Sequence, residues 1–268
     1  DDINGEFLKY LKNPNFSTYS SNGGANYNFI ANDFSLLEGF GGKIQTPEFG
    51  EIPVRAKVFG EHSLRPITGA VAVAIKLGLN PQEIINGLAS LKPVPGRMNF
   101  MRGLEDSVLI DDTYNSSPAA LTAAIQTLYA LSAPSKIAVI GSMNELGESS
   151  AMEHQKIGEM LDGVELSWVV TVGEQANKYL APAARLRGCQ VYEAKNAIDA
   201  GIFVRKVMEK GALILLKGSQ GDIYLEEATK MLLRNQEDEK WLVRQDKNWK
   251  KIKHDFFASF AEIADDEV

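Results

Sequence analysis

The stretch Leu109–Leu121, LIDDTYNSSPAAL, joins a buried strand to a helix. Its first apolar residues are typical of a strand that is covered on both faces. Ser117 and Pro118 are typical of a helix start, because a serine side chain caps free backbone N–H groups and a proline at the first helical position needs no partner. Two adjacent carboxylates, Asp111 and Asp112, end the strand. The stretch therefore predicts a strand–loop–helix unit with acidic side chains in its loop.

The same alternation continues through the second half of the chain. Short unbroken apolar segments predict strands, and amphipathic segments between them predict helices. Such alternation indicates the α/β class, with a Rossmann-like, mostly parallel sheet covered on both faces. The predicted strands are Val108–Ile110, Ile137–Ile140, Trp168–Val172, Gln190–Tyr192 and Leu213–Leu216, and the predicted helices cover residues 118–131, 151–162, 174–186, 196–209 and 222–233.

The first part of the chain has a different pattern. Residues 52–58 alternate as a strand does, residues 67–77 predict a helix of small residues, and residues 80–83 (Asn-Pro-Gln-Glu) predict a capped helix start. The segment Lys92–Gly96 is rich in Pro and Gly, which is typical of a linker. We expect three parts, which are a domain over residues 1–96, a second over residues 97–245 and a charged helical tail over residues 246–268.

Composition excludes several classes of protein. The chain has 268 residues, a formal net charge of -7 and no long basic run, which argues against a nucleic-acid partner. The single cysteine, Cys189, excludes an internal disulfide framework and is typical of a reducing compartment. No apolar stretch is long enough to span a bilayer and no signal peptide is visible, so a cytoplasmic protein without membrane insertion is expected.

Three polar, glycine-containing segments follow predicted strands. They are residues 111–115, 141–147 and 217–221. The carboxyl ends of parallel strands meet at one edge of a sheet, so these segments should form one cleft. A carboxylate there can accept hydrogen bonds from ribose hydroxyls, glycine N–H groups can approach phosphate, and a lysine can neutralise an anion.

Each of these side chains also has a purely structural explanation. Asp and Asn are common in turns, so for the pair Asp111 and Asp112 structure and ligand binding are equally compatible with the sequence. Lys217 alone is typical of a solvated turn. His154 is expected just inside a helix whose capping box runs from Ser150 to Glu153, where packing is its usual role. The histidines at positions 62, 154 and 254 lack metal-ligand spacing, so no metal site is predicted.

Two nucleotide-binding patterns are missing from the 268 residues. No G-x-x-x-x-G-K-[ST] phosphate loop occurs, and Gly41-Gly42-Lys43-Ile44 lacks both the earlier glycine and the final hydroxyl. No strand is followed by G-x-G-x-x-G, which argues against a Rossmann oxidoreductase. The sequence therefore contains loops suited to a nucleotide but no triphosphate cradle.

Taken in order, five short motifs resemble the Mur ligase family. Each motif alone is weak, but together they cover most of residues 50–235. The motifs are Gly60-Glu61-His62, Pro95-Gly96-Arg97-Met98, Ile110–Asn115, Met143–Gly147 with His154, and Leu216–Ser219. The resemblance implies the last part of a central ATPase domain followed by the Rossmann-like C-terminal domain. It places the phosphate loop and the Mg²⁺ ligands upstream of this chain, and the non-methionine start fits an excised or processed piece.

The resemblance also implies a reaction. Mur ligases use ATP and Mg²⁺ to join a carboxylate to an amine through an acyl phosphate during peptidoglycan synthesis. The Asp-Asp-x-Tyr-Asn and Glu-Leu-Gly runs favour a member that adds D-Ala-D-Ala to UDP-MurNAc-tripeptide. This chain alone is not expected to be active, and the protein is expected to be a monomer.

Carried onto this sequence, the family motifs imply two groups of site residues and no catalytic residue within the chain. The ATP-binding group is His62, Arg97, Asp112, Tyr114 and Asn115, and the amino-substrate group is Glu145, His154, Lys217 and Ser219. Three positions depart from the family pattern. Ser63 and Pro66 replace asparagines that help to hold adenine, and Gln220 replaces a common arginine.

Two other functions stay open. A folylpolyglutamate or cyanophycin-type ligase shares the domain plan, but the Asp-Asp-Thr-Tyr-Asn run is not expected in it. A non-catalytic nucleotide- or peptide-binding module is favoured by Ser63 and Pro66. A bound nucleotide in the intact protein would distinguish a ligase from a module that has lost the ATPase.

Overall fold

The computed structural model describes residues 16–36, 38–60 and 63–265, with side chains described up to residue 260. The chain divides into two compact units, residues 1–93 and residues 94–268. The division falls inside the segment Lys92–Gly96, whose Pro and Gly content predicts a linker. Gly96 and Arg97 therefore belong to the second unit.

The first unit contains a four-stranded sheet and two helices. Strand β1 pairs parallel with β2, and β2, β3 and β4 pair antiparallel in that order. Apolar side chains such as Phe29, Ile44 and Val71 form its core. The elements are β1 Tyr19–Ser20, β2 Tyr27–Ser35, β3 Gly39–Thr46, β4 Gly50–Ala56, α1 Leu64–Lys76 and α2 Pro81–Ala89.

The predicted start of α2 is confirmed in detail. The Asn80 side chain accepts the Glu83 N–H at 3.1 Å, and the Glu83 carboxylate accepts the Asn80 N–H at 2.8 Å. This reciprocal capping satisfies two N–H groups that the helix leaves free. Ile84 and Leu88 then face the core of the unit.

The second unit is a six-stranded α/β sheet in the order β5-β6-β10-β7-β8-β9, which confirms the predicted class. Every neighbouring pair is parallel except β5 with β6. The strands are β5 Asn99–Arg102, β6 Val108–Asp112, β7 Lys136–Gly141, β8 Trp168–Val172, β9 Val191–Ala194 and β10 Leu213–Lys217. The helices are α3 Pro118–Ala130, α4 Ser150–Met160, α5 Ala181–Leu186, α6 Ala197–Val207, α7 Glu226–Leu232 and α8 Lys247–Asp265.

Three details differ from the sequence-based prediction. Strand β5 is not predicted, because its four residues show no apolar run. Strand β6 continues through Asp111 and Asp112, since β5 and β10 both pair with it there. The predicted capping box from Ser150 to Glu153 is wrong, because a 3-10 turn precedes α4 and Ser149, without a side-chain cap, occupies the N-cap.

The central strands of the second unit are almost wholly buried. Strands β7 and β10 have no exposed residue, and their apolar side chains pack against α6 and α7 on one face of the sheet. Because β6, β7 and β10 run parallel, they end at the same edge of the sheet with Asp112, Gly141 and Lys217. Among the described helices, none is both long enough and apolar enough to cross a membrane.

Candidate functional site

A buried ion pair lies where β6 and β10 end. The strand register places Lys217 beside Asp112, and the Lys217 ammonium lies 2.7 Å from an Asp112 carboxylate oxygen. It also donates to the Asn115 carbonyl at 2.9 Å. The two side chains are only 2% and 9% exposed, so Lys217 is not the solvated turn lysine that the residue alone suggests. In a buried site, each of these two groups needs the other as a partner, because an unpaired buried charge is strongly destabilising.

The two acids fasten the segment before β5 to the end of β6. Asp112 accepts the Met98 N–H at 3.1 Å with its second oxygen, and Asp111 accepts the Gly96 N–H at 3.1 Å. The other oxygen of Asp111 accepts the Thr113 hydroxyl at 2.7 Å. This structural role answers why two carboxylates end a buried strand, and it leaves each oxygen of Asp112 with room for a further hydrogen bond.

Gly96 permits a close approach in this segment. Its carbonyl accepts the Tyr114 N–H at 3.0 Å, and its φ of 65° lies in the left-handed region. A Cβ atom at this position would lie 2.8 Å from the Tyr114 nitrogen and 2.8 Å from a methyl group of Val243. A side chain at position 96 would therefore push Tyr114 away from the segment before β5.

An exposed aromatic ring and a cation lie beside the buried pair of Asp112 and Lys217. The Arg97 guanidinium carbon is 4.3 Å from the centre of the Tyr114 ring, and Tyr114 is 42% exposed. Among the side chains described, which end at residue 260, no carboxylate pairs with Arg97. The neighbouring Asn115 uses its side-chain oxygen for the Ser116 N–H. A flat, anionic ligand could stack on the ring and bind the guanidinium, which is what a nucleotide requires.

Asp111 is a titratable group with no exposed surface. Complete burial raises its pKa from the ordinary 3.8 to about 7, and the nearby charges of Glu226 and Asp112 act in the same direction. The hydrogen bonds from Thr113 and Gly96 oppose this shift. Between these two pH values the folded state keeps a proton that the unfolded chain has lost, so stability falls as pH rises, by about 1.4 kcal/mol per pH unit.

Asp111→Asn should abolish this pH dependence. We expect the stability of the native chain relative to this variant to fall by about 2 kcal/mol between pH 5 and pH 7. Urea unfolding at both pH values measures the difference. Asp106→Asn, which changes an exposed acid before the same strand, is the control. Equal pH slopes for the native chain and Asp111→Asn would contradict the buried, proton-binding state of Asp111.

His154 supports the loop that follows β7. It has no exposed surface, its Nε2 accepts the Met143 N–H at 2.8 Å, and its Nδ1 lies 2.8 Å from the Ser150 carbonyl. Burial lowers its pKa, which favours the neutral ring that this pair of bonds needs. With both nitrogens engaged, the imidazole cannot contact a ligand in this arrangement, so His154 fixes the loop instead.

Ser219 connects the three loops. Its hydroxyl accepts the Asn144 N–H at 2.8 Å and donates to the Ser116 carbonyl at 3.3 Å. The Asn144 side chain also donates to the Gln220 carbonyl at 2.9 Å. Glu145, next to this junction, is exposed and has a φ of 65°. The loops after β6, β7 and β10 therefore form one hydrogen-bonded edge, as expected for the ends of parallel strands.

Most of the predicted site residues lie at this edge. Asp112 and Lys217 form the buried pair, and Arg97 and Tyr114 form the exposed stack. Asn115 lies between them and accepts from Lys217. Ser219 and Glu145 lie on the adjoining loops, and His62 lies outside the described residues. In the described part of the chain, no three Cys, His, Asp or Glu side chains lie together as a metal site requires.

Two site residues were missed by sequence reasoning. Arg244 donates to the Thr113 carbonyl at 2.7 Å and to the Tyr114 carbonyl at 3.2 Å. It also forms a two-pronged ion pair with Glu226, both N–O distances being 2.8 Å. The one available signal was an arginine after the apolar pair Leu242-Val243 in an otherwise charged segment.

The sequence is similar to those of known ligases over most of the chain. Residues 96–220 match the model of the Mur ligase glutamate ligase domain. The UDP-N-acetylmuramoyl-tripeptide–D-alanyl-D-alanine ligase of Escherichia coli K12 is 29% identical over 212 residues, which is 79% of this chain and 46% of that enzyme. The enzyme of the same name from Bacillus subtilis is 29% identical over 184 residues, covering 66% of this chain and 39% of the enzyme.

The fold agrees with this match. The crystal structure of MurF from Acinetobacter baumannii superimposes with a TM-score of 0.73 and 27% identity, over 88% of this chain and 50% of that one. This chain thus spans about half the length of these relatives. The matched region contains the buried Asp112–Lys217 pair, the exposed Tyr114 and the three joined loops. Over residues 96–220, just under half of its length, the chain is similar in sequence to the glutamate ligase domain of the Mur ligases.

Proposed function

We propose that the chain is part of an ATP-dependent ligase that adds D-Ala-D-Ala to UDP-MurNAc-tripeptide. The observation that carries this proposal is the exposed stack of Arg97 on Tyr114. It lies beside the buried ion pair of Asp112 and Lys217, in the region that matches a Mur ligase domain. Similarity to ligases of that name over 79% of the chain supports the choice of substrates. A cytoplasmic monomer belongs to the same proposal.

The residues at this edge are suited to bind the nucleoside and the outer phosphates of ATP. They are less suited to bind a complete triphosphate together with its metal ion. Tyr114 offers a ring for stacking, Arg97 an exposed cation, and Asp112 a spare lone pair for a ribose hydroxyl. Asn115 would complete the nucleotide side within the second unit. We assign Mg²⁺ and the phosphate cradle to sequence outside this chain, because its relatives are about twice as long. When bound, ATP supplies the phosphoryl group.

The amino substrate would meet the adjoining loops. The exposed carboxylate of Glu145 can attract the ammonium group of a dipeptide. Ser219 and Lys217 are buried, so their part is to keep the loops after β7 and β10 in place. Holding two reactants at fixed positions is the main contribution that such a surface makes to ligation.

An isotope experiment tests the chemistry. In the proposed reaction an oxygen of the tripeptide carboxylate bonds to the γ-phosphorus, the dipeptide amine attacks the acyl carbon, and phosphate leaves with that oxygen. UDP-MurNAc-tripeptide carrying ¹⁸O in its terminal carboxylate should therefore yield ¹⁸O-phosphate with the full-length protein. Product formation with unlabelled phosphate would contradict the acyl-phosphate route. Ligation of glutamate instead of D-Ala-D-Ala would favour a folylpolyglutamate-type ligase.

A non-catalytic binding module is the second candidate. One observation favours it, since Ser63 stands where the family pattern has asparagine and its hydroxyl donates to the Phe59 carbonyl at 2.8 Å. A residue engaged in its own helix turn is a poor substitute for an adenine-binding amide. Nucleotide binding by the full-length protein without any phosphate release would support this candidate over the ligase.

A further inference from the structure

The C-terminal segment beyond the matched family domain reaches the candidate nucleotide site. The family match ends at residue 220, whereas Arg244 lies 24 residues further along the chain (244 − 220). Its guanidinium donates to the carbonyls of Thr113, which follows the acid pair, and of Tyr114, which carries the exposed ring. This contact joins two segments about 130 residues apart in sequence.

Arg244 is held in place by a buried network of charges. Its side chain is 6% exposed and pairs through Nε and Nη2 with Glu226, which has no exposed surface. Glu226 also lies 3.3 Å from the ammonium of Lys253, a helix α8 residue that is 4% exposed and that pairs in turn with Glu227. Two acids from α7 are therefore neutralised by two cations from the C-terminal segment, as charges in a buried site must be.

Aromatic packing fixes the same segment to the second unit. Tyr224, just before α7, lies 5.1 Å between ring centres from Phe256 and 6.3 Å from Phe257, both edge-to-face. Trp249 packs against Tyr224 from the start of α8 at 6.3 Å. Such contacts bury large apolar surfaces and have defined geometry. We name residues 242–257 the C-terminal brace.

Backbone conformation indicates that the brace has a specific task at Arg244. This residue has a φ of 55°, in the left-handed region that is unfavourable for a non-glycine residue. Met98, beside Arg97, and Tyr224 are also left-handed, each with a φ of 46°. Strained backbone persists where surrounding contacts determine it, and it concentrates at functional sites.

We propose that Arg244 is a positioning residue for nucleotide use. It holds the carbonyls of Thr113 and Tyr114, so the C-terminal brace sets the position of the Tyr114 ring and, through the stack, of Arg97. Arg244 itself is buried and does not contact the nucleotide. This inference rests on the proposed function, because it assigns the purpose of the loop to nucleotide binding.

Arg244→Lys and Arg244→Gln in the full-length protein test the inference. Lysine keeps a cation for Glu226 but loses the two-pronged fork, and glutamine loses the charge as well. We expect amide hydrogen exchange in residues 113–116 to become about tenfold faster in both variants, and the KM for ATP to rise by about tenfold with kcat changed less than twofold. The matched control is Arg234→Gln, which removes a 60% exposed arginine paired with Asp106.

The readouts separate the possible results. If amide hydrogen exchange in residues 113–116 is unchanged in folded Arg244→Lys, the claim that the C-terminal brace holds this loop is overturned. Faster exchange with an unchanged KM for ATP overturns the positioning role. If Tyr114→Ala also leaves this KM unchanged, the proposed nucleotide site itself fails; if Tyr114→Ala raises it, only the role of Arg244 fails. If Arg244→Gln does not fold, Arg244→Lys alone decides.

Discussion

Lys217→Met should lower the free energy of unfolding of the second unit by about 3–5 kcal/mol, because it leaves the buried carboxylate of Asp112 without its partner. The Lys217 ammonium lies 2.7 Å from that carboxylate, and both side chains are less than a tenth exposed. Methionine fills a similar volume, so a packing defect contributes little to the loss. All three tryptophans, at positions 168, 241 and 249, lie in the second unit, and their fluorescence during urea unfolding reports on it.

Two companion variants identify the cause of this loss. Lys136→Met removes another buried strand lysine, but its partner Glu165 is 47% exposed and can be hydrated, so we expect a loss of about 1 kcal/mol or less. Asp112→Asn combined with Lys217→Met removes both charges and keeps an acceptor for the Met98 N–H, so most of the stability should return. If Lys217→Met lowers the free energy of unfolding as little as Lys136→Met does, the claim of a buried ion pair would be contradicted.

Arg97→Ala should lower kcat/KM for ATP by about 10–100-fold in the full-length protein. A charged hydrogen bond to a phosphate contributes about 1.5–3 kcal/mol, and each 1.4 kcal/mol is a factor of ten. The Arg97 side chain is exposed and stacks on Tyr114. Its loss should therefore change the free energy of unfolding by only about 0.5 kcal/mol. Phosphate release at varied ATP concentration gives the kinetic constants.

Controls make the Arg97 result specific. Arg234→Ala removes an exposed arginine from the same unit without touching the three loops, and its kinetics should match the native protein. Arg97→Lys keeps the positive charge but loses the planar fork, so an intermediate effect is expected. An unchanged kcat/KM in Arg97→Ala would remove Arg97 from the nucleotide site.

Much of the fold could be predicted from the sequence because its signals are local and periodic. Strands such as Ile137–Ile140 are continuous apolar runs, and α2 carries its capping residues within four positions. Strand β5 could not be found in this way, since an edge strand of four residues has too few positions to show a period. The sequence places the N-cap of α4 at Ser150, one residue late, because the 3-10 turn that ends at Ser149 has the same polar composition.

The candidate site could be predicted in its membership better than in its contacts. Loops that follow parallel strands converge whatever their sequence, which is why Asp112, Tyr114 and Lys217 were grouped correctly at one edge. The resemblance assigned Asp112 to ATP and Lys217 to the amino substrate, whereas in the structure they bind each other. Substituting either one disturbs both, so their effects on the two substrates cannot be separated by single variants. Register between strands 105 residues apart (217 − 112) decides this pairing, and no local pattern encodes it.

The same limit applies to Arg244. Its partners lie 18 residues away at Glu226 and about 130 residues away at Thr113. Arg244 shares no helix or strand with either partner, so no periodic pattern brings them together. A charged C-terminal segment is typical of a solvated tail, and only the tertiary structure shows that two of its cations are buried.

Product formation tests the central claim most directly. The full-length protein would be incubated with ATP, UDP-MurNAc-tripeptide and D-Ala-D-Ala, and the products would be analysed by mass spectrometry. The account predicts UDP-MurNAc-pentapeptide, formed with one phosphate released per product and about 10–100-fold more slowly by Arg97→Ala at limiting ATP. Absence of the pentapeptide, with a folded protein that still binds ATP, would contradict the ligase assignment and leave a nucleotide-binding module.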